Sequence, residues 1–159
     1  MTWVKVTEDF YDTRDYVHRL LAGRTDVGAM VTFTGLVRDF TDGQAPDDAI
    51  LELEHYPGMT EAQLEELREQ AVQKFDLKGA AIVHRVGKMK PGEEIVLVIA
   101  ASAHRQAAFD GANWIMDTLK TTAAFWKKES AGSAATWVKE RQSDLDAAAK
   151  WQDERSQDK

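Results

Sequence analysis

The sequence predicts an α+β fold, with a mixed and largely antiparallel sheet and helices packed on it. Two observations carry that reading. Short strand-like segments stand next to one another, notably Ala80 to Val86 and Glu94 to Ala101, joined through the turn Lys90-Pro91-Gly92-Glu93. Segments with helical spacing lie between strands, but not in the regular alternation that a doubly wound parallel sheet requires.

The elements follow in chain order. Trp3 to Thr7 alternates and predicts a short strand. Asp12 to Ala22 carries Tyr16, Val17, Leu20 and Leu21 on one helical stripe, with Gly23 as a stop. Gly28 to Val37 (GAMVTFTGLV) is a β-branched strand. Arg38 to Asp48 is a polar loop holding Gly43 and Pro46, and is the expected mobile element. Ile50 to His55 alternates as a half-buried strand, which Pro57-Gly58 breaks. Thr60 is placed to cap a helix to about Phe75, with Gln63 completing a capping box. After the two adjacent strands, Ser102 is placed to cap a long helix whose apolar positions are Ala108, Ala112, Ile115, Met116, Leu119 and Ala123. Trp137-Val138 is one more short strand, and the tail from Ser143 is polar, a short helix that frays. The length of 159 residues predicts one domain, 1–159.

Composition excludes several classes of function. Twenty basic against 27 acidic residues give a net charge of −7, the wrong sign for non-specific binding to nucleic acid or an anionic membrane. No run of about 18 apolar residues is present, and MTWVKVTEDF has no basic-then-apolar leader, so a cytoplasmic protein is expected. There is no cysteine, which removes disulfides, thiolate metal sites and cysteine nucleophiles. His18, His55, His84 and His104 have no metal-ligand spacing, HExxH is absent, and so are GxGxxG and GxxxxGK[ST]. No metal or cofactor is expected.

Against the acidic background, Ser102 to Glu129 gathers His104, Arg105, Lys120, Lys127 and Lys128. Local cations in an acidic chain suit an anionic ligand. Lys120 and Lys127 are seven residues apart; on one continuous helix they would share a face about 10 Å apart and bracket an anion. The alternative is a pair of solvated surface lysines. His104 and Arg105 follow a strand and open a helix, where free N–H groups and the dipole favour negative charge; a locally bonded histidine is the alternative. Arg38, at the end of the GAMVTFTGLV strand, either joins them at the anion or is a surface charge.

Four segments together resemble the large, catalytic subunit family of molybdopterin synthase: VTFTGLVRD (Val31 to Asp39), LELEHYPGMTE (Leu51 to Glu61), IVHRVGKMKPGEEIVLV (Ile82 to Val98) and SAHRQAAFDGANWIMDTLKTTAAFWKKE (Ser102 to Glu129). The combination of EHYPGM, SAHR and LKT..AFWK is specific, where no single piece would be. The resemblance implies an α/β-hammerhead type of fold and a homodimer within a heterotetramer. Its partner would be a small ubiquitin-like carrier whose C-terminal Gly-Gly ends in a thiocarboxylate. Sulfur would pass to cyclic pyranopterin monophosphate, in two rounds, to build the dithiolene of molybdopterin. The resemblance makes Lys120 and Lys127 catalytic, and makes Arg38, His104, Arg105 and Arg141 substrate-binding, Arg141 across the dimer. The lack of cysteine agrees with sulfur that travels on the carrier. Many relatives carry lysine where Leu36 stands, and relatives often carry arginine at Thr122 and proline at Ala124. A non-catalytic module that holds a pterin or the carrier tail is the other class of function this pattern allows.

Overall fold

The computed structural model describes residues 3–44, 46–131, 134–138 and 142–153. Two four-stranded sheets form its frame. The first takes β1 (Val4–Thr7), β2 (Ala29–Leu36), β4 (Gly79–Arg85) and β6 (Glu94–Ser102) in the order β1-β4-β6-β2. Only β1 against β4 is parallel; the other pairs are antiparallel. The second takes β3 (Ala49–His55), β5 (Gly87–Met89), β7 (Phe125–Ala131) and β8 (Ala134–Val138) in the order β5-β3-β7-β8, all antiparallel. Among the described residues four α-helices, α1 (Thr13–Leu21), α2 (Met59–Lys74), α3 (Arg105–Thr122) and α4 (Gln142–Asp153), and one 3-10 turn (Pro46–Asp48) complete it. The α+β expectation holds.

The near-continuous apolar runs of β4 and β6 follow from burial on both faces. Ile82, Val96, Val98 and Ala100 point to α2 and α3, packing with Leu64, Leu67 and Ile115. The alternate residues Ala81, Val83, Leu97 and Ile99 meet Tyr16 and Leu20 of α1. Period two thus divides one strand between two helical layers. A third cluster of Val37, Leu51, Leu53, Val86 and Met89 sits under the second sheet, where the expected reading had no β5.

Several element ends differ from expectation. Helix α2 starts at Met59, and its cap is Gly58 at φ 84°, a left-handed conformation that glycine adopts without strain. Glu61, not Gln63, reaches back to accept from the Gly58 N–H at 2.7 Å. Thr60 lies inside the helix, fully buried, and Gln63 accepts instead from the Ala124 N–H. His104, not Ser102, holds the cap position of α3, because Ser102 is still paired in β6 opposite Ala29.

The structure decides against the one condition set for the lysines, a continuous helix. Helix α3 stops at Thr122, so no single helix carries both Lys120 and Lys127. The chain turns at Ala123 (φ −77°, ψ 136°) and is captured by β3, with Phe125 opposite His55 and Ala131 opposite Ala49. Seven sheet partners outweigh a helix end in which Thr121 and Thr122 already bond back to the Thr118 carbonyl. The tail also differs: Trp151 is only 9% exposed, lies edge-on to Phe75, and docks α4 on the core. Asp39 folds the start of the polar loop by accepting from the Thr41 N–H and hydroxyl and the Gly43 N–H. Among the described residues no helix is long and apolar enough to cross a membrane.

Candidate active site

A cleft of ≈ 610 Å³ opens between the two sheets at the C-terminal end of α3. One wall is the end of β2 with Phe33, Gly35 and Leu36, continuing to Arg38. The other is β3 and β7, with Leu51, Leu53 and Phe125. Met116 and Lys120 of α3 close it. Arg38, Lys120 and Lys127 therefore meet in one cavity, although three separate elements bring them there.

Each cation arrives for a local reason. Lys120 occupies the last turn of α3, where the helix dipole favours positive charge. Lys127 lies opposite Leu53 in β7. Alternation turns Lys128 to the opposite face, where its ammonium sits 5.7 Å from the Trp137 ring. Arg38 follows β2 at the point where Val37 is tied to the β5–β6 turn, its N–H donating to the Glu93 carbonyl at 2.8 Å.

Three groups in the cleft escaped sequence reasoning: Glu129, which lies opposite Leu51 in β7 two residues after Lys127, Asp144 and His84. Asp144 of α4 places Oδ1 3.2 Å from Lys120 Nζ. His84 of β4 is buried, stacks on Phe125 at 4.2 Å, and keeps Nδ1 2.8 Å from the Arg85 carbonyl. A carbonyl only accepts, so Nδ1 carries the proton and Nε2 keeps its lone pair. Burial pushes the His84 pKa down to about 4; the carbonyl bond opposes this, while Lys127 and His55 add to it. The histidine is neutral at physiological pH. Its signal in the sequence was a polar residue at the centre of an apolar strand. Asp144 had no local signal.

The His-Arg pair lies elsewhere. His104 and Arg105 are exposed at the start of α3, and His104 makes no side-chain cap bond. From Arg105 to Lys120 the helix rises about 22 Å. Arg38 also stands away from the pair, because β2 runs antiparallel to β6, with Ala29 beside Ser102 and Leu36 beside Glu94. In one chain, then, Arg38 joins the lysines and not His104 and Arg105, against the expectation of a shared anion site. Arg141 lies outside the described residues.

A cleft of this size with three cations and an apolar wall suits a small anionic molecule. The family model described as MoaE protein matches residues 6–122. The molybdopterin synthase catalytic subunit of Rhizobium meliloti (strain 1021) is 52% identical over 150 residues, covering 93% of this chain and 94% of that protein. Among solved structures, molybdopterin cofactor biosynthesis protein E from Burkholderia multivorans ATCC 17616 superposes with a TM-score of 0.78 at 42% identity, covering 93% of this chain and 94% of that one. Molybdopterin synthase from Staphylococcus aureus superposes with a TM-score of 0.77 at 28% identity, covering 87% of this chain and 98% of that one.

Proposed function

The chain belongs to the MoaE protein family, and from that premise we propose that it acts as the catalytic subunit of a molybdopterin synthase. It takes sulfur from the C-terminal thiocarboxylate of a small ubiquitin-like carrier and delivers it to cyclic pyranopterin monophosphate, building the dithiolene in two rounds. The observation that supports this best is the meeting of Arg38, Lys120 and Lys127 in one cleft from three distant elements. The reaction takes place in the cytoplasm and needs no cofactor of the chain's own.

The chemistry suits the side chains. Both reactants are anions, a cyclic phosphate and a thiocarboxylate, and opening of the phosphate ring leaves a monoester. Arg38 is placed to hold phosphate oxygens through its planar fork. Lys120 and Lys127 stabilise negative charge that develops as sulfur passes between acyl carbon and pterin. A lysine in its neutral form also serves in proton transfer, or holds the carrier's acyl group.

The remote His104–Arg105 pair fits the same reading in a homodimer. Arg105, Phe109, Asn113, Met116 and Lys120 follow one face of α3, and Phe109 is 60% exposed. A two-fold pairing that sets these faces antiparallel brings one copy's His104–Arg105 to the partner's Lys120 end. Two small carriers on such a dimer make the heterotetramer.

The test is mass spectrometry of the pterin product after the chain is mixed with thiocarboxylated carrier and cyclic pyranopterin monophosphate. Product with two added sulfurs is expected. Carrier binding without any sulfur gain would make the chain a holding module instead.

A further inference from the structure

Two carboxylates line the cleft, Glu129 of β7 and Asp144 of α4, and the one set against Lys120 needs a reason in a cleft built for anions. Asp144 lines the cleft and is only 24% exposed on its side chain, yet it sits 3.2 Å from Lys120. Stability does not supply the reason, because Lys120 is 51% exposed and an ion pair this open adds little to the fold. Anchoring of α4 does not need it either. Trp151 inserts into the core, and its indole N–H donates to Asp117 Oδ2 at 2.8 Å. Lys150 reaches the same oxygen at 2.9 Å. Helix α4 is thus held at its far end, and Asp144 projects from its first turn back to the cleft, where the dipole favours a carboxylate.

Lysine has a flexible four-carbon stem and a strongly hydrated head. At the open end of α3, an untethered Lys120 would spend much of its time in bulk solvent. We propose that Asp144 is a positioning residue for Lys120: α4 is a strut that carries a carboxylate to the cleft and holds the ammonium over the place where acyl carbon and acceptor meet. This rests on the reading of Lys120 as catalytic. The carboxylate touches the lysine and not the reactants, so its effect belongs to the rate at saturation rather than to binding.

The experiment compares the full chain with Asp144→Asn, Asp144→Glu, Lys120→Ala and Lys150→Ala, each given thiocarboxylated carrier and cyclic pyranopterin monophosphate. Misplacing a reacting group by about 1 Å is costly, so Asp144→Asn is expected to lower kcat about 10-fold while both KM values stay within about twofold. Asp144→Glu keeps the charge and should recover most of the rate. Lys150→Ala removes the other α3–α4 ion pair and a contact over the Trp151 ring, both away from the cleft, and should leave the rate unchanged. Thermal melting checks that α4 stays docked, and Asp144→Glu remains informative if the asparagine variant does not. A wild-type kcat in Asp144→Asn overturns the proposal. So does a fall in KM with the rate kept, which would make Asp144 a competitor of the anionic ligand. A failure of Asp144→Glu to recover any rate also counts against it. Full activity in Lys120→Ala would instead sink the catalytic reading of that lysine, a distinguishable result.

Discussion

The two ends of α3 carry the same kind of side chain in opposite surroundings. At the C-terminal end every neighbour is held. The Ala123 N–H donates to Leu119, the Ala124 N–H donates to Gln63, and the Ala124 carbonyl accepts from Thr60. Phe125 then stacks on His84, and Lys120 meets Asp144. At the N-terminal end His104, Arg105 and Gln106 are exposed, and the cap residue makes no side-chain bond to the helix. One end is a fixed site and the other is a presented surface. A cationic cluster that looks single in sequence is therefore two clusters, kept apart by the length of a helix.

The comparison is broken most directly at the fixed end. Lys120→Ala and Lys127→Ala are each expected to lower product formation by about 100-fold or more, as removal of a group that stabilises transition-state charge does. Neither side chain fills the core, so the melting temperature should hardly move. Lys128→Ala, whose side chain lies on the other face of β7, should keep its activity. Rates near wild type in either cleft lysine, with the fold intact, would leave the fixed end without a catalytic role.

The next effect is a stability effect beneath the same end. His84 has a pKa of about 4 in the folded chain against 6.5 for an ordinary histidine. A pKa lowered by folding means that the unfolded chain binds the proton more tightly. The contribution of neutral His84 is then fully present above pH 6.5 and is lost as pH falls from 6.5 towards 4. The loss amounts to roughly 3 kcal/mol over that window. Urea unfolding at a series of pH values should show it, and His84→Gln should flatten the slope by about one proton. An unchanged slope would mean that the imidazole is not buried as a neutral group.

The sequence showed one side of this contrast better than the other. The buried strands β4 and β6 were legible because both faces are covered and their apolar runs are nearly unbroken. The start of α3 was legible within two residues, since strand Glu94–Ser102 must end before a helix can begin. The fixed end was left open because what fixes it is distant in sequence. The spacing of Lys120 and Lys127 imitates a helix, and only pairing with β3 shows that Lys127 is in a strand. His84 and Asp144 reach the cleft on β4 and α4, which local patterns cannot foresee. The resemblance to relatives found the three cleft cations by matching residues, but beyond setting Arg141 across the dimer it did not say which of the other five belong together in one chain.

A smaller effect tests the presented end. If His104 and Arg105 serve the partner's cleft, Arg105→Ala should raise KM for the pterin about 10-fold with kcat little changed, the loss of one charge-assisted contact. Mixed dimers sharpen this. Pairing a Lys120→Ala chain with an Arg105→Ala chain leaves one site with both native residues only if each site draws on two copies. Assayed with pterin well below its KM, where the Arg105→Ala defect is expressed, such a mixed dimer should then show about half the wild-type rate, from a pair of chains each impaired alone. No recovery would mean that the two ends of α3 do not meet across the dimer.

The smallest effect concerns what holds the fixed end. Thr60 is completely buried, and its hydroxyl does two things: it donates to the Ala124 carbonyl at 2.9 Å and accepts from the Tyr56 N–H at 3.0 Å. It thereby joins the start of α2 to the turn that carries the chain from α3 into β7. Thr60→Val keeps the shape and removes both bonds, which leaves a backbone donor and a backbone acceptor without that partner. The expected cost is about 1 kcal/mol, up to about 3 if neither group finds water. For a chain of this length about 1 kcal/mol lowers Tm by roughly 2–4 °C. The lysines keep their elements, so the rate should fall by less than about threefold, far below the loss expected when the reacting cation itself is removed. A melting curve that coincides with wild type would show that β3 pairing alone holds the turn. A rate loss as large as that of Lys120→Ala would show the opposite, that the cleft depends on this hydroxyl for its geometry.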